Sequence, residues 1–240
     1  MDKKEFQKEM LEKSDKIGIV LNEKQLNQFY EYMNLLLDWN EKINLTAITE
    51  PEEIILKHFI DSLTIAKYIK KGESLVDVGT GAGFPGIPLK IYREDISIML
   101  LDSLNKRINF LNDVIERLDL KDITTIHSRV EEFGKNKKYR EKFDIATSRA
   151  VANLATLSEY MLPLIKIGGK SICMKGPEIS KEIENSKRAI KILGGRVEKI
   201  DEFELASTNN KRNIITILKI EKTPEKYPRK PGMPAKEPIK

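Results

Sequence analysis

The chain has 240 residues but only one cysteine, one tryptophan and two histidines. A lone Cys173 excludes an intramolecular disulfide. His58 and His127 stand far apart with no cysteine cluster near either, so no metal-ligand spacing is present and no metal is expected. No apolar run approaches the roughly 18 residues that a membrane span needs. The opening MDKKEFQKEMLEKSDKIGIVLNEKQ is charged throughout and lacks the apolar stretch of a signal peptide. The expected compartment is therefore the cytoplasm, with no membrane partner. A strong charge of either sign is also missing. Lys and Arg total 42 against 37 acidic residues, a net +5, which permits a polyanionic partner without demanding one.

What is present suits one sizeable domain with an extension, and 40% hydrophobic residues suffice for a packed core. The first third reads helical. Phe6, Met10 and Leu11 fall at helical spacing, and Leu26, Phe29, Tyr30, Met33, Leu36 and Leu37 form one stripe. A third helix is predicted from EPEEIILKHFIDSLTIAKYI, with Pro51 in its first turn. From Ser74 the texture changes to short β-branched runs alternating with helical patterns. Strands are predicted at 75–78, 96–102, 123–127, 143–148 and 171–174, with helices near 86–92, 106–118, 153–165 and 178–193. Two further runs, 197–205 and 213–220, have no helix between them. This order predicts an α/β fold, a parallel sheet closed by an antiparallel strand pair. The tail KTPEKYPRKPGMPAKEPIK, rich in Pro and Lys, reads as extended and poorly packed.

The stretch LVDVGTGAGFPGIPLKI joins the first strand to the next helix through Gly79, Gly81, Gly83 and Gly86. Glycines there let the backbone approach a ligand, and the helix start presents free N–H groups. Pro85 suits the first turn of that helix. Gly81, Gly83 and Gly86 fit the dinucleotide spacing, whereas Gly79, Gly81 and Gly83 fit a tighter one. Asp77, at the strand end, wants a cationic partner or donors once buried. The ammonium of a methionyl group would serve; NAD has none to offer. Asp102 ends the second strand at the distance where an acid accepts from a ribose, although a helix N-cap would also explain it. The antiparallel last pair of strands favours S-adenosylmethionine over NAD.

Together with NLTAITEPEEIILKHFIDSL, TSRAVANL, GGKSICMKG and KYPRKPGMPAKEPI, this pattern resembles the bacterial RsmG family, also called GidB, over about residues 25–238. The resemblance implies a class I, Rossmann-like methyltransferase with a mostly parallel seven-stranded sheet. It implies methyl transfer from S-adenosyl-L-methionine to N7 of a guanine in 16S ribosomal RNA, within the small subunit or its precursor; a monomer is expected. The division expected is an N-terminal helical extension (1–72), a methyltransferase domain (73–222) and a basic tail (223–240). A fold that binds RNA or cofactor without catalysis and an NAD-dependent oxidoreductase are the alternatives.

Guanine N7 already carries an in-plane lone pair, so orientation and charge stabilisation suffice and no strong base is needed. After the fourth strand the chain reads Thr147-Ser148-Arg149-Ala150 where exocyclic-amine methyltransferases resemble one another in an Asn/Asp-Pro-Pro-Tyr/Phe run. Cys173 lies mid-strand and is expected to be an inert thiol rather than a nucleophile. Arg149 and Lys175, at the ends of the fourth and fifth strands, are the expected catalytic residues, with a salt bridge or solvated lysine as the plainer alternatives. Cofactor contacts are expected from Asp77, Gly79, Gly81, Gly83, Phe84, Asp102, Ser103, Arg149 and, by resemblance, Val130 and Glu131. Phe84 is expected to be exposed in the turn, unless it simply packs in the core. Arg149, Tyr227, Arg229 and Lys230 are expected to meet RNA. His58, Asp61 and Ser62 share one helix face; they either line the cofactor pocket or tie the N-terminal helices to the sheet.

Overall fold

The computed structural model describes residues 1–149 and 151–239; Ala150 and Lys240 lie outside the described residues. Helix α1 (Lys3–Asp15) starts at Asp2, whose carboxylate accepts from the N–H groups of Lys4 and Glu5. Helix α2 (Glu23–Ile43) starts at Asn22, with Gln25 completing a capping box. Both caps satisfy donors that a helix start leaves unpaired. In α2 the stripe of Leu26, Phe29, Met33 and Leu36 is buried as expected. Tyr30 and Leu37 are only half-buried, and the wholly buried residue missing from the predicted stripe is Tyr32. The third helix is not continuous. It divides into α3 (Pro51–Ile54), π-helical turns (Ile55–Ile60), α4 (Asp61–Leu63) and a 3₁₀ turn (Ala66–Tyr68).

The βα series follows: β1 (Ser74–Val78), α5 (Gly86–Tyr92), β2 (Ser97–Asp102), α6 (Asn105–Arg117), β3 (Ile123–His127), α7 (Val130–Lys135), β4 (Phe143–Arg149), α8 (Leu154–Met161), β5 (Ile165–Lys175) and α9 (Ser180–Ile192). Strands β6 (Gly195–Glu204) and β7 (Lys211–Lys219) and the short helix α10 (Met233–Lys236) complete the chain. Among the described residues the sheet has seven strands in the order β3-β2-β1-β4-β5-β7-β6. Strands β1 to β5 are parallel, and β7 runs antiparallel to both its neighbours. Asp77 is level with Leu100 and Thr147, so the ends of β1, β2 and β4 meet at one edge.

Two apolar layers cover the sheet. One joins α1, α2 and the 54–69 segment to α5 and α6, so the N-terminal helices share a core with the sheet rather than forming a separate body. The other joins α7, α8 and α9 to the opposite face and includes Tyr227 from the tail. Cys173 belongs to this second core; burial pushes its thiol up to about 11.

Two expectations need correction. Helix α8 ends at Met161, not 165, because Pro163 closes the chain into a 3₁₀ turn, and β5 begins at Ile165. The Gly168-Gly169 pair disguised that early half of the strand. Nor is the tail poorly packed. Arg140 donates to the carbonyls of Thr223 and Tyr227 at 2.8 and 2.7 Å, and Thr156 Oγ1 donates to that of Pro234 at 3.0 Å. The tail docks because its carbonyls find donors in Arg140, between α7 and β4, and in Thr156 of α8; composition does not carry that information.

Candidate active site

At the C-terminal edge of the strands, a cleft of about 430 Å³ is bounded by the glycine turn, Asp102, Ser103, Arg149 and Val151, with Thr46 and His58 from the N-terminal region. Three glycines of the turn have positive φ: 67° at Gly79, 62° at Gly81 and 94° at Gly83. Their surroundings differ. A Cβ on Gly83 would meet Ile87 Cδ1 at 2.6 Å and the Tyr32 hydroxyl at 2.7 Å. One on Gly86 would collide with Leu100 and reach Asp77 Oδ2 at 3.0 Å. One on Gly79 would strike Val151 Cγ2 at 2.8 Å. At Gly81 nothing lies within 4 Å. Gly83 and Gly86 are thus required by packing, and Gly81 alone of the four faces open space in the cleft. The dinucleotide spacing falls on residues that mostly pack inward.

The turn is held from both sides. The Tyr32 hydroxyl donates to the Ala82 carbonyl from α2. The Gly81 N–H donates to Asp102 Oδ2 at 3.0 Å. Asp102 also accepts from the Leu104 N–H at 2.9 Å and from Arg107 Nη1 at 3.3 Å. Leu104, not Asp102, is the residue that caps α6. Three donors leave an ionised carboxylate with spare acceptor capacity, in a residue only 3% exposed at the cleft wall. Asp77 is completely buried. Its Oδ2 accepts from Thr80 Oγ1 at 2.7 Å and the Gly86 N–H at 2.8 Å, while Oδ1 has no partner. Burial pushes its carboxyl up to about 6, against the pull of those donors and Arg149.

Arg149 is the last residue of β4 and is tied down on three sides. Nη1 donates to the Lys57 carbonyl at 2.7 Å and to Asp61 Oδ2 at 3.1 Å, and Nη2 meets His58 Nδ1 at 3.1 Å. Its guanidinium lies 5.0 Å from the Phe84 ring centre. Phe84 is 6% exposed and stacks on His58 at 4.4 Å, so the exposure expected for it is corrected: the N-terminal segment covers it, though it still lines the cleft. Burial and then Arg149 press the His58 imidazole down to about 3, so it is neutral. With Nδ1 accepting from Arg149, Nε2 carries the hydrogen and donates to Thr46 Oγ1 at 2.8 Å. Ser62 Oγ donates to the His58 carbonyl at 2.5 Å. The polar helix face therefore ties the N-terminal helices to the sheet and, through His58, also lines the cleft.

Other expected site residues lie elsewhere. Val130 and Glu131 do not line this cleft; Glu131 is buried, and its Oε1 accepts from the Gly232 N–H at 2.9 Å, fastening the tail. Tyr227 is 9% exposed, and Arg229 is ion-paired with Glu159, donating from Nη2 to Oε2 at 2.7 Å and from Nε to Oε1 at 2.9 Å. Both side chains thus fasten the tail, an engagement within the chain that the sequence did not signal. Lys230 is exposed. Lys175 Nζ donates to the Ala152 carbonyl and Glu182 Oε1, both at 2.6 Å. Tyr32, Thr46 and Asp61 carry much of the site's framework. Tyr32 falls outside the predicted stripe, and no local spacing signals its hydroxyl's partner 50 positions away. Among the described residues no group of three or more His, Cys, Asp or Glu is placed to hold a metal, and no helix is long and apolar enough to cross a membrane.

The model of a family described as GidB, rRNA small subunit methyltransferase G, matches residues 25–215. A protein of Acetivibrio thermocellus named ribosomal RNA small subunit methyltransferase G is 54% identical over 242 residues, covering 100% of both chains. A protein of the same name from Clostridium novyi is 53% identical over 228 residues, 94% of each chain. Among solved structures, a SAM dependent methyltransferase from Aquifex aeolicus superposes with a TM-score of 0.51 at 19% identity, covering 70% of this chain and 94% of that one. That likeness is one of fold.

Proposed function

This chain belongs to the GidB family of small-subunit ribosomal RNA methyltransferases, and from that premise we propose that it transfers a methyl group from S-adenosyl-L-methionine to N7 of a guanine in 16S ribosomal RNA. The single observation that carries the reading is the open space at Gly81, beside the Asp102 carboxylate at the sheet edge.

The residues present fit the cofactor. Gly81 leaves room for it, Asp102 retains acceptor capacity for ribose hydroxyls, and Asp77 offers an unpartnered carboxylate oxygen near the turn. Gly79, Phe84 and Ser103 line the same cleft, while Gly83 packs inward and sets the turn. When bound, S-adenosyl-L-methionine supplies an electrophilic methyl carbon: the guanine N7 lone pair takes it, the carbon–sulfur electrons stay on sulfur, and no proton leaves N7. The chain's own task is orientation and charge placement. Arg149, fixed by Asp61, His58 and the Lys57 carbonyl, is a rigid cation at the cleft rim, able to meet a base or phosphate. Neutral His58 adds no charge there and holds the orientation of Arg149. Lys175 supplies a second cation at the end of β5. The exposed Lys230 of the docked tail, with Lys226 and Lys236, offers phosphate contacts.

We propose further that it acts in the cytoplasm, on the small subunit or its precursor, as a monomer. Mass spectrometry of 16S rRNA from cells with and without the gene tests the function. Loss of one N7-methylguanosine in its absence is expected, and unchanged guanosine methylation overturns the reading.

A further inference from the structure

Next to the cofactor cleft lies a second groove, of about 1130 Å³, between the start of α8, the β5–α9 connection, α9 and the end of the tail. The two share a wall. Val151 borders the cleft and Asn153 the groove. The carbonyl of Ala152, between them, accepts from Lys175 Nζ, and the same ammonium donates to Glu182 in the groove. Glu182 lines the groove with its side chain 22% exposed, and Lys175, 10% exposed, reaches it from the end of β5 without lining either cavity.

Both groups have capacity left. An ammonium has three donors, and two are used. Glu182 Oε1 is taken by Lys175, and among the described residues Oε2 makes no hydrogen bond. An anionic acceptor in the groove lining and a cationic N–H donor 2.6 Å behind it therefore stand side by side, near the cleft where the methyl carbon is expected. The Watson–Crick edge of guanine has the complementary order, the O6 acceptor beside the N1–H donor. Adenine has the reverse, an N6 amino donor beside an N1 acceptor, so the ammonium would face a donor and the carboxylate a lone pair. N7 lies on the other edge of the purine. A base held by its Watson–Crick edge keeps N7 uncovered, and enzymes that act on an extruded base commonly read it by that edge.

We propose that Lys175 and Glu182 are the guanine-reading pair, the lysine donating to O6 and the glutamate accepting from N1–H of a base lodged in this groove. Methylation at N7 leaves the purine with a positive charge, and Glu182, bound at N1–H, stabilises that charge as it develops. This rests on the reading above that guanine N7 is the acceptor.

The test is methyl transfer to small-subunit rRNA by the full chain and its Glu182→Gln and Lys175→Met variants, alongside calorimetry with S-adenosyl-L-methionine and thermal melting. Losing one charged hydrogen bond is expected to lower kcat/KM about ten- to hundred-fold, with cofactor Kd unchanged. Lys175→Arg keeps a donor and should retain more activity than Lys175→Met. Because removing one partner strands the other's charge, the double variant Lys175→Met/Glu182→Gln provides a folded form with neither charge, and it should be at least as impaired. A Glu182→Gln enzyme working at the wild-type rate overturns the proposal. So does a loss of cofactor affinity that parallels the loss of activity, which would make the pair a mere part of the cleft wall. If the wild-type chain itself leaves rRNA unmethylated, the function proposed above fails and takes this inference with it; an active wild type with an unaffected variant sinks the inference alone.

Discussion

Arg149 and Asp61, 88 positions apart in sequence, meet as a 3.1 Å ion pair at the rim of the cleft. The other oxygen of Asp61 accepts from Arg212 Nε at 3.0 Å. One carboxylate, 5% exposed, thus holds a guanidinium from β4 and another from β7 against the N-terminal helical segment.

Asp61→Asn is expected to destabilise the chain and loosen Arg149 together. Removing one partner of a buried pair costs about 3–5 kcal/mol, because the remaining charges stay buried. Two arginines share the carboxylate here, and both are partly exposed, so the lower end of that range applies. Thermal melting should show the loss, and methyl transfer should fall even at a temperature where the variant is folded. Arg149→Lys should not restore activity in the otherwise intact chain, since an ammonium cannot reproduce the planar set of contacts to Lys57, His58 and Asp61. A melt and turnover equal to wild type for Asp61→Asn would refute this.

The glycines separate binding from folding. Gly81→Val should fold, with some strain from its φ of 62°, but lose cofactor binding, since its side chain enters otherwise open space. Gly86→Ala should lose stability instead, by about 1–3 kcal/mol or more, because its Cβ is driven into Leu100 beside the Asp77 carboxylate. Calorimetry and melting of both variants check the contrast. A folded Gly81→Val protein with unchanged cofactor affinity would misplace the site.

This contrast shows what the sequence could reveal. The glycine turn, Asp77, Asp102 and the order of strands follow from periodicity and local punctuation, so they were legible. The division of labour among the glycines was not, because it depends on Ile87, Leu100, Tyr32 and Val151 arriving from different elements. The same holds for Glu131, Tyr227 and Arg229. An acid after a strand or a cation in a proline-rich tail has the same local pattern whether it faces a ligand or a neighbouring segment. Glu131 fastens Gly232 across 101 positions, and no spacing rule spans that distance.

Cofactor affinity should rise with pH through about 6. The folded-state pKa of Asp77, about 6, lies above its ordinary 3.8, and burial is the main cause. Between those values the folded chain retains a proton that the unfolded chain releases. The contribution of Asp77 to stability is therefore fully present below about 3.8 and is lost as pH rises through 6. Above 6 the carboxylate is charged, and a cationic group of the cofactor compensates that buried charge. Binding isotherms from pH 5 to 8 should strengthen across this window, and Asp77→Asn should flatten the profile. A wild-type profile that is already flat would show that Asp77 does not sense the ligand.

The tail should divide into a fastening and a set of phosphate contacts. The Glu159 side chain is 1% exposed, and it accepts from the Arg229 backbone N–H at 2.7 Å as well as from its guanidinium. Arg229→Ala strands that carboxylate and should cost about 3–5 kcal/mol, lowering Tm and freeing the tail. Lys226, Lys230 and Lys236 are exposed, so replacing all three by Ala should change stability by no more than about 0.5 kcal/mol per site. Their loss should instead weaken RNA binding and make the plot of log affinity against log salt shallower by about 0.7–0.9 for each phosphate contact removed. Melting and a salt series on the two variants separate the roles. If the triple-lysine variant keeps the wild-type salt slope while its Tm is unchanged, the tail is a structural strap alone, and the phosphate contacts must come from cations lining the cleft, beginning with Arg107 and Arg149.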